Sequence, residues 1–385
     1  MRILYHHRIA SRDGQATHIE EMIGALRALG HDVEICAPDL YGRDSGRGGS
    51  AGWVGTLKAT LPKSLYELAE VAYSFVTYLR VRRAVRAFRP DVIYERYALY
   101  NLGGVLAAKH AGVPLLLEVN APYAVARRKY GGLALGRLAD ACERFVWRRA
   151  TFVLPVTQVM ADLLVAAGVS RERMAVVPNA IDPAHYEGLP DAAQAKHALG
   201  LDGRIVIGFV GFVREWDRLD RVIDWLAGRG ANENLHLLVV GDGPARADLE
   251  AQARARGIGD RVSFTGVVKR TDLPSRAMAF DIALQTALVP YASPLCLFEY
   301  LALGKAIVAP DQPNHHEVLR AGVDAELYHP DEAGDLERAI ERLAGDAALR
   351  ARLAAGAREA MALRQFTWRR NAERVVEIAG SLRRA

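Results

Sequence analysis

The feature that most constrains this chain is a repeated alternation of short, continuous apolar runs with stretches of helical hydrophobic spacing. Residues 3–5 are apolar and a polar loop covers 8–15. Ile19, Met22, Ile23, Leu26 and Leu29 then recur at helical spacing up to Gly30, and a second apolar run follows at 33–37. This strand–loop–helix–strand unit opens a doubly wound sheet. Strands are predicted at 91–94, 114–119, 152–156 and 175–178, with helices over 102–111 and from Thr157 to near Gly168. Runs that are apolar throughout, rather than alternating, are what parallel strands need when helices cover both faces of the sheet.

The alternation then stops and restarts. Residues 182–203 are polar and punctuated by Pro183, Gly188, Pro190, Gly200 and Gly203, which places the domain boundary there. Strands follow at 205–210, 235–240, 261–264, 282–284 and 306–308, with helices over 219–226 and 245–256 and a helical tail from 333. Trp368, Val375, Val376, Ile378 and Leu382 lie along the last helix. The 385-residue length suits two such domains, and 51% hydrophobic with 25% charged residues excludes disorder as the main state. The three cysteines, Cys36, Cys142 and Cys296, are scattered and form no CxxC. That argues against a structural zinc or redox pair and fits a reducing compartment. The first residues have no apolar core or small-residue cleavage site of a signal peptide, and the apolar stretch 65–79 contains Glu67 and Glu70 and is too short to span a bilayer.

The charge is uneven. Residues 80–149 hold 14 Lys/Arg against 5 Asp/Glu. This is either a solvated basic face or a surface for an anionic membrane or phosphate-bearing ligand; no RNA-binding or zinc-finger signature accompanies it.

Ligands of such sheets sit at the carboxyl ends of the strands, so the loops there are the candidates. In 11–18, Gly14 permits backbone N–H groups to face an anion at a helix start, without the GxGxxG of a nicotinamide or flavin site. His18 is expected in the first helical turn, where an exposed side chain is the ordinary case. Asn120, in Glu118-Val-Asn-Ala-Pro122, can donate and accept. Arg214 and Arg218 flank Glu215 and Asp217, either as phosphate ligands or as members of a surface ion network. Gly241 and Gly243 imply close approach by a ligand or by the chain itself. Ser293 and Pro294 read as the cap and first residue of a helix through Leu295 that ends at Gly304. Its N-terminus suits an anion, and Glu299, amid apolar neighbours, requires a partner.

Taken together, these residues resemble the retaining glycosyltransferases of family four, with the GT-B fold, and among them bacterial members serving exopolysaccharide or cell-envelope glycan assembly. The resemblance runs through Gly30-His-Asp-Val33, Pro90-Asp-Val-Ile-Tyr-Glu-Arg96, Glu118-Val-Asn-Ala-Pro122, Val177-Pro-Asn-Ala-Ile-Asp182, Gly208-Phe-Val-Gly211, Gly241-Asp-Gly-Pro244, Phe264-Thr-Gly266 and Ser293-Pro-Leu-Cys-Leu-Phe-Glu-Tyr300. It implies two Rossmann-like domains facing across a cleft. Residues 1–190 would bind acceptor, 191–365 would bind a UDP- or GDP-linked sugar, and a helix over 366–385 would cross back to the first domain.

By the same resemblance Glu299 holds the ribose hydroxyls, and Ser293, Pro294 and Leu295 mark the segment whose surrounding amides face the diphosphate. Gly241 and Gly243 lie beside the nucleoside, Val267 frames the base, and Gly14 lies near the donor phosphate. Asn120, His18 and Arg214 are the candidate catalytic residues, with Arg218 a further donor contact. Transfer is expected on one face of the sugar, the leaving diphosphate taking the acceptor proton. No cofactor or metal is expected, nor nucleic acid. The partners are a nucleotide-sugar and a glycan or lipid-linked acceptor. The expected location is cytoplasmic, with the inner face of the plasma membrane as the surface met by the basic region.

The chain departs from the family pattern in places. Tyr291 stands where the Glu-x7-Glu motif has its first glutamate, and Cys296 where many relatives have lysine. Phe212, Asp217 and Arg218 occupy the phosphate-loop positions, and Asn120 replaces a common histidine. These departures leave a second reading, a binding or scaffold subunit with little or no turnover. An epimerase of the same architecture is a third.

Overall fold

The computed structural model describes residues 1–9, 14–38, 61–230 and 234–384; the expected first-loop residues 10–13 lie outside them. The chain divides into two compact units. One comprises Met1–Pro178, Tyr291–Ser293 and Trp368–Ala385, the other Asn179–Pro290 and Pro294–Thr367.

In the first unit, β1 (Arg2–His6) leads to α1 (Gly14–Ala28) and β2 (Asp32–Cys36), then α2 (Lys63–Phe88), β3 (Val92–Arg96), α3 (Gly103–Ala111), β4 (Leu115–Val119), α4 (Gly136–Arg149), β5 (Phe152–Pro155) and α5 (Gln158–Ala166). All strands are parallel in the order β2-β1-β3-β4-β5. β3 and β4 are buried along their whole length, as their apolar runs require. Thr157 caps α5, its side chain accepting the Met160 N–H.

The second unit holds β6 (Ile205–Val210), α6 (Leu219–Ala227), β7 (Leu235–Val240), α7 (Arg246–Ala255), β8 (Val262–Phe264), β9 (Ile282–Leu284), α8 (Leu295–Leu303), β10 (Ala306–Pro310), β11 (Ala325–Tyr328), α9 (Asp335–Gly345) and α10 (Ala347–Arg364). Its parallel sheet runs β11-β10-β9-β6-β7-β8. In both sheets the chain winds outward from a central strand, returns, and winds the other way. The switch points lie between β1 and β3 and between β6 and β9, where side chains at the strand ends are best placed to bind. The last helix, α11 (Trp368–Arg384), packs along α1 within the first unit.

Two expectations need correction. Residues 175–178 form no strand: Met174 makes a single bridge to Val153, and Ala175 and Val177 donate to the carbonyls of Val153 and Pro155. Pro155 and Pro178 lack the N–H groups that a reciprocal ladder needs. Conversely, β11 was not anticipated. It is a four-residue strand at the sheet edge, and Glu326 breaks its apolar pattern.

Helix α8 is tied to the second sheet by the buried Tyr300, whose hydroxyl accepts from Val210 N (2.9 Å) and donates to Leu284 O (3.2 Å). It thus joins the ends of β6 and β9. Tyr300→Phe leaves a buried amide and carbonyl unsatisfied and is expected to cost about 1–3 kcal/mol. Urea denaturation measures this; unchanged stability would contradict the assignment.

Candidate active site

The end of the first sheet carries a buried charged network. Glu118, at the end of β4, is 1% exposed. One of its oxygens accepts from Tyr94 (2.7 Å) and shares a hydrogen bond with His18 Nε2 (2.8 Å). The other accepts from Arg96 Nη1 and Asn120 Nδ2. The register makes this possible, since Arg96 on β3 lies opposite Glu118 on β4. Burial alone would raise the Glu118 pKa, but the charges of His18 and Arg96 and the donated hydrogen bonds outweigh it and hold the carboxyl well below the usual range.

Beside it, Glu95 lies opposite His6 and bonds its Nδ1 at 2.6 Å, with Asn101 donating to the other oxygen at 3.3 Å. A Cβ on Gly104 would stand 1.5 Å from that carboxylate, so glycine is required there. The neighbouring His7 is pushed down to about 4, chiefly by burial, with repulsion from His6 and Arg96 added.

His18 differs from its sequence expectation. The helix starts at Gly14, so His18 lies in the second turn, and it is 2% exposed, edge-on to the ring of Trp368 at 4.7 Å. The structure therefore brings His18 and Asn120 together through one carboxylate. Tyr94, Glu95, Arg96 and Glu118 stand in the motifs that carry the family resemblance but were assigned no role from the sequence, and His6 was not singled out at all. Their signal was charge within otherwise apolar strands, which a buried sheet tolerates only when paired. Glu143 on α4 is a further unanticipated acid: burial pushes it up to about 7 against hydrogen bonds from Ala124 N and Tyr97.

At the end of the second sheet, the loop after β6 packs backbone to backbone on the loop after β7. Gly211 N donates to Val240 O and Val213 N to Asp242 O. A Cβ at Gly241 would lie 2.0 Å from Gly211 O, and one at Gly243 2.2 Å from Val213 O. The close approach inferred from these glycines is thus made by the chain itself.

Asp217 builds the same loop. Its Oδ2 accepts the Arg214 N–H at 2.8 Å, and burial pushes its pKa up to about 6 against that bond and the Arg214 charge. Arg214 lies over the rings of Phe212 (4.9 Å) and Trp216 (5.0 Å). Arg218 takes a left-handed conformation (φ 55°) at the start of α6, and among the described residues its guanidinium makes no hydrogen bond or ion pair.

Pro294 is the cap of α8 and Leu295 its first residue, one position later than expected; Ser293 groups with the first unit. Glu299, 4% exposed, faces Arg270 at 3.5 Å from the turn Arg270–Asp272, a partner the sequence did not reveal. Val267, two residues after β8's connecting Thr265, is 87% exposed. Cys296 is held as the neutral thiol by burial, its Sγ 3.7 Å from Gln285 Oε1. Tyr291 packs in the first unit, where burial lifts its hydroxyl to about 12.

Two doubly wound units of this topology, with polar groups gathered at both switch points, are the GT-B class of transferase fold. Residues 13–180 match the glycosyl transferase 4-like domain and residues 191–360 match glycosyl transferases group 1. The chain is 30% identical to the 2-deoxystreptamine glucosyltransferase of Streptomyces kanamyceticus over 64% of its own length, and spans 65% of that relative. It is 25% identical to a GDP-mannose-dependent alpha-mannosyltransferase of Mycobacterium tuberculosis, over 80% of this chain and 78% of the relative. In fold it resembles Anabaena Alr3699/HepE, solved in complex with UDP, with a TM-score of 0.76, 21% identity and coverage of 99% of this chain and 100% of the other. The chain belongs to the group 1 glycosyltransferases of GT-B fold.

Glu118→Gln is expected to destabilise the protein at neutral pH by about 3–5 kcal/mol, because buried Arg96 loses its counter-charge. A carboxyl held low in the folded state stabilises above its unfolded pKa, and that contribution fades as pH falls. The gap between wild type and variant in urea titrations should therefore narrow below the ordinary value of 4.5. A constant gap from pH 7 to 3 would contradict this electrostatic role.

Proposed function

We propose that the chain is a retaining hexosyltransferase using a UDP- or GDP-linked sugar and a glycan or lipid-linked acceptor of exopolysaccharide or envelope glycan synthesis. The observation that carries the donor reading is Glu299. It is a buried acid on the helix whose N-terminus lies at the β6/β9 switch point, and it faces the turn that follows Gly266. A carboxylate so placed can accept from two vicinal ribose hydroxyls, while the first amides of α8 favour the diphosphate. Arg218 supplies a cation at the same strand ends that is unpaired among the described residues, and Asp217, engaged in shaping the loop, need not be a phosphate ligand.

In the reaction, the bond from the anomeric carbon to the diphosphate oxygen breaks. The acceptor oxygen bonds to that carbon on the same face, and its proton passes to the departing phosphate. Stabilising the developing charge on the diphosphate then supplies most of the rate, through Arg214, Arg218 and the α8 amides. Gly14 is assigned to the donor phosphate and Asn120 and His18 to the acceptor hydroxyl. Their partner Glu118 fixes both groups and, with four donors, is not a free nucleophile. Both UDP and GDP figure among the relatives and fold neighbours, so the base is left to experiment. The basic region, with 14 Lys/Arg in residues 80–149, suits an acceptor presented at an anionic membrane.

Calorimetric titration with UDP, GDP and ADP, then with their hexose conjugates, tests this directly. One nucleoside diphosphate should bind in the micromolar range and more tightly with its sugar attached. Glu299→Ala should weaken that binding by about 10–100-fold, from lost hydrogen bonds to a charged group. Absence of binding to any of them would favour the non-catalytic subunit.

A further inference from the structure

Helix α2 buries one face against the first sheet, through Glu67, Ser74, Thr77, Val81, Val85 and Phe88. The opposite face is unusual. Leu65, Leu68, Phe75, Val76 and Leu79 are all exposed, Phe75 by 66%. With exposed Ala72 between them, positions 65, 68, 72, 75 and 79 repeat at alternating intervals of three and four, so they form one straight seam. The seam is about 21 Å long at 1.5 Å per residue. No charged residue interrupts it. Glu67 is buried, accepting from Tyr100 and from the amides of Ala134 and Leu135, and Glu70 is held by a two-pronged ion pair with Arg127.

Beyond Leu79 the same outer face turns basic. Arg83 and Arg86 are exposed, as is Arg89 just past the helix end. The helix packed against α2, α3, adds exposed Lys109 and His110 and no acid. Apolar surface of this extent on a monomeric protein marks an interaction site.

The charge pattern selects the occupant. In a parallel pair of α2 helices the arginines of two copies would oppose one another. In an antiparallel pair they would meet Lys63 and an uncharged seam. Neither arrangement offers an anion to the basic end, whereas an anionic lipid surface offers hydrocarbon to the seam and phosphates to the arginines. Among the described residues no helix is long and apolar enough to cross a membrane, so α2 would lie along the interface.

We infer that the solvent face of α2 docks the protein on an anionic lipid surface, with Leu68, Phe75 and Leu79 entering the acyl boundary and Arg83 and Arg86 contacting lipid phosphates. This deepens the membrane-presented acceptor reading and rests on it.

The test is co-sedimentation of the full chain with vesicles of phosphatidylcholine alone or mixed with phosphatidylglycerol. The inference predicts binding to the anionic vesicles, weakened by salt. Phe75→Glu, at an exposed position that leaves thermal stability unchanged, should reduce partitioning by about tenfold or more. The Phe75→Trp variant should show blue-shifted fluorescence on anionic vesicles only. If wild type binds neither vesicle, the membrane reading fails and the docking face with it. If wild type binds but Phe75→Glu binds equally and Phe75→Trp shows no shift, the face is wrong while the membrane reading stands. A concentration-dependent dimer abolished by Phe75→Glu, without vesicle binding, would assign the face to a second copy and overturn the inference.

Discussion

A parallel sheet covered by helices on both faces leaves only its strand ends for polar chemistry, and this constraint governs both units. Inside the layers the central strands are largely apolar, so helices can pack on either side. At the carboxyl ends the requirement lapses, and charge collects there: His6, Glu95, Arg96 and Glu118 in one unit, Arg214, Asp217 and Arg218 in the loop after β6 in the other. The winding reverses at β1/β3 and β6/β9, and the residues assigned to chemistry cluster by those two reversals.

The two ends solve the problem of buried polarity differently. In the first unit a carboxylate is the organising charge. Glu118 gathers an arginine, a histidine, a tyrosine and an asparagine, so that His18 and Asn120 are held in place by a fully paired acid. In the second unit the backbone does more of the work. Gly241 and Gly243 let two loops touch directly, Asp217 caps the turn, and Tyr300 anchors α8 so that its free amides stay at the strand ends. The first arrangement suits orienting hydroxyls and the second suits receiving negative charge.

The two-sheet fold was legible because it rests on local signals: continuous apolar runs, helical spacing and glycine stops. The signals failed where the outcome depended on a neighbour. Residues 175–178 look like a strand, but Pro155 on the adjoining strand cannot return the hydrogen bonds. Residues 325–328 form an edge strand although Glu326 breaks the pattern. The site residues divide in the same way. Asn120 and Arg218 stand out by type and loop position, and Glu299 as an acid amid the apolar residues of α8. His18 looks exposed until the strands bring Glu118 beneath it from 100 residues along the chain. Arg270 acquires meaning only when the turn after β8 faces α8, and the outer face of α2 only when the other face is seen to be buried.

The central claim is that the strand ends of the second unit hold a nucleoside diphosphate. Hydrogen exchange read by mass spectrometry, with and without the nucleotide that binds in calorimetry, tests it most directly. The account predicts slowed exchange at the amides of 211–218, 265–270 and 295–297. Protection confined to the first unit, or spread evenly over the chain, would contradict it.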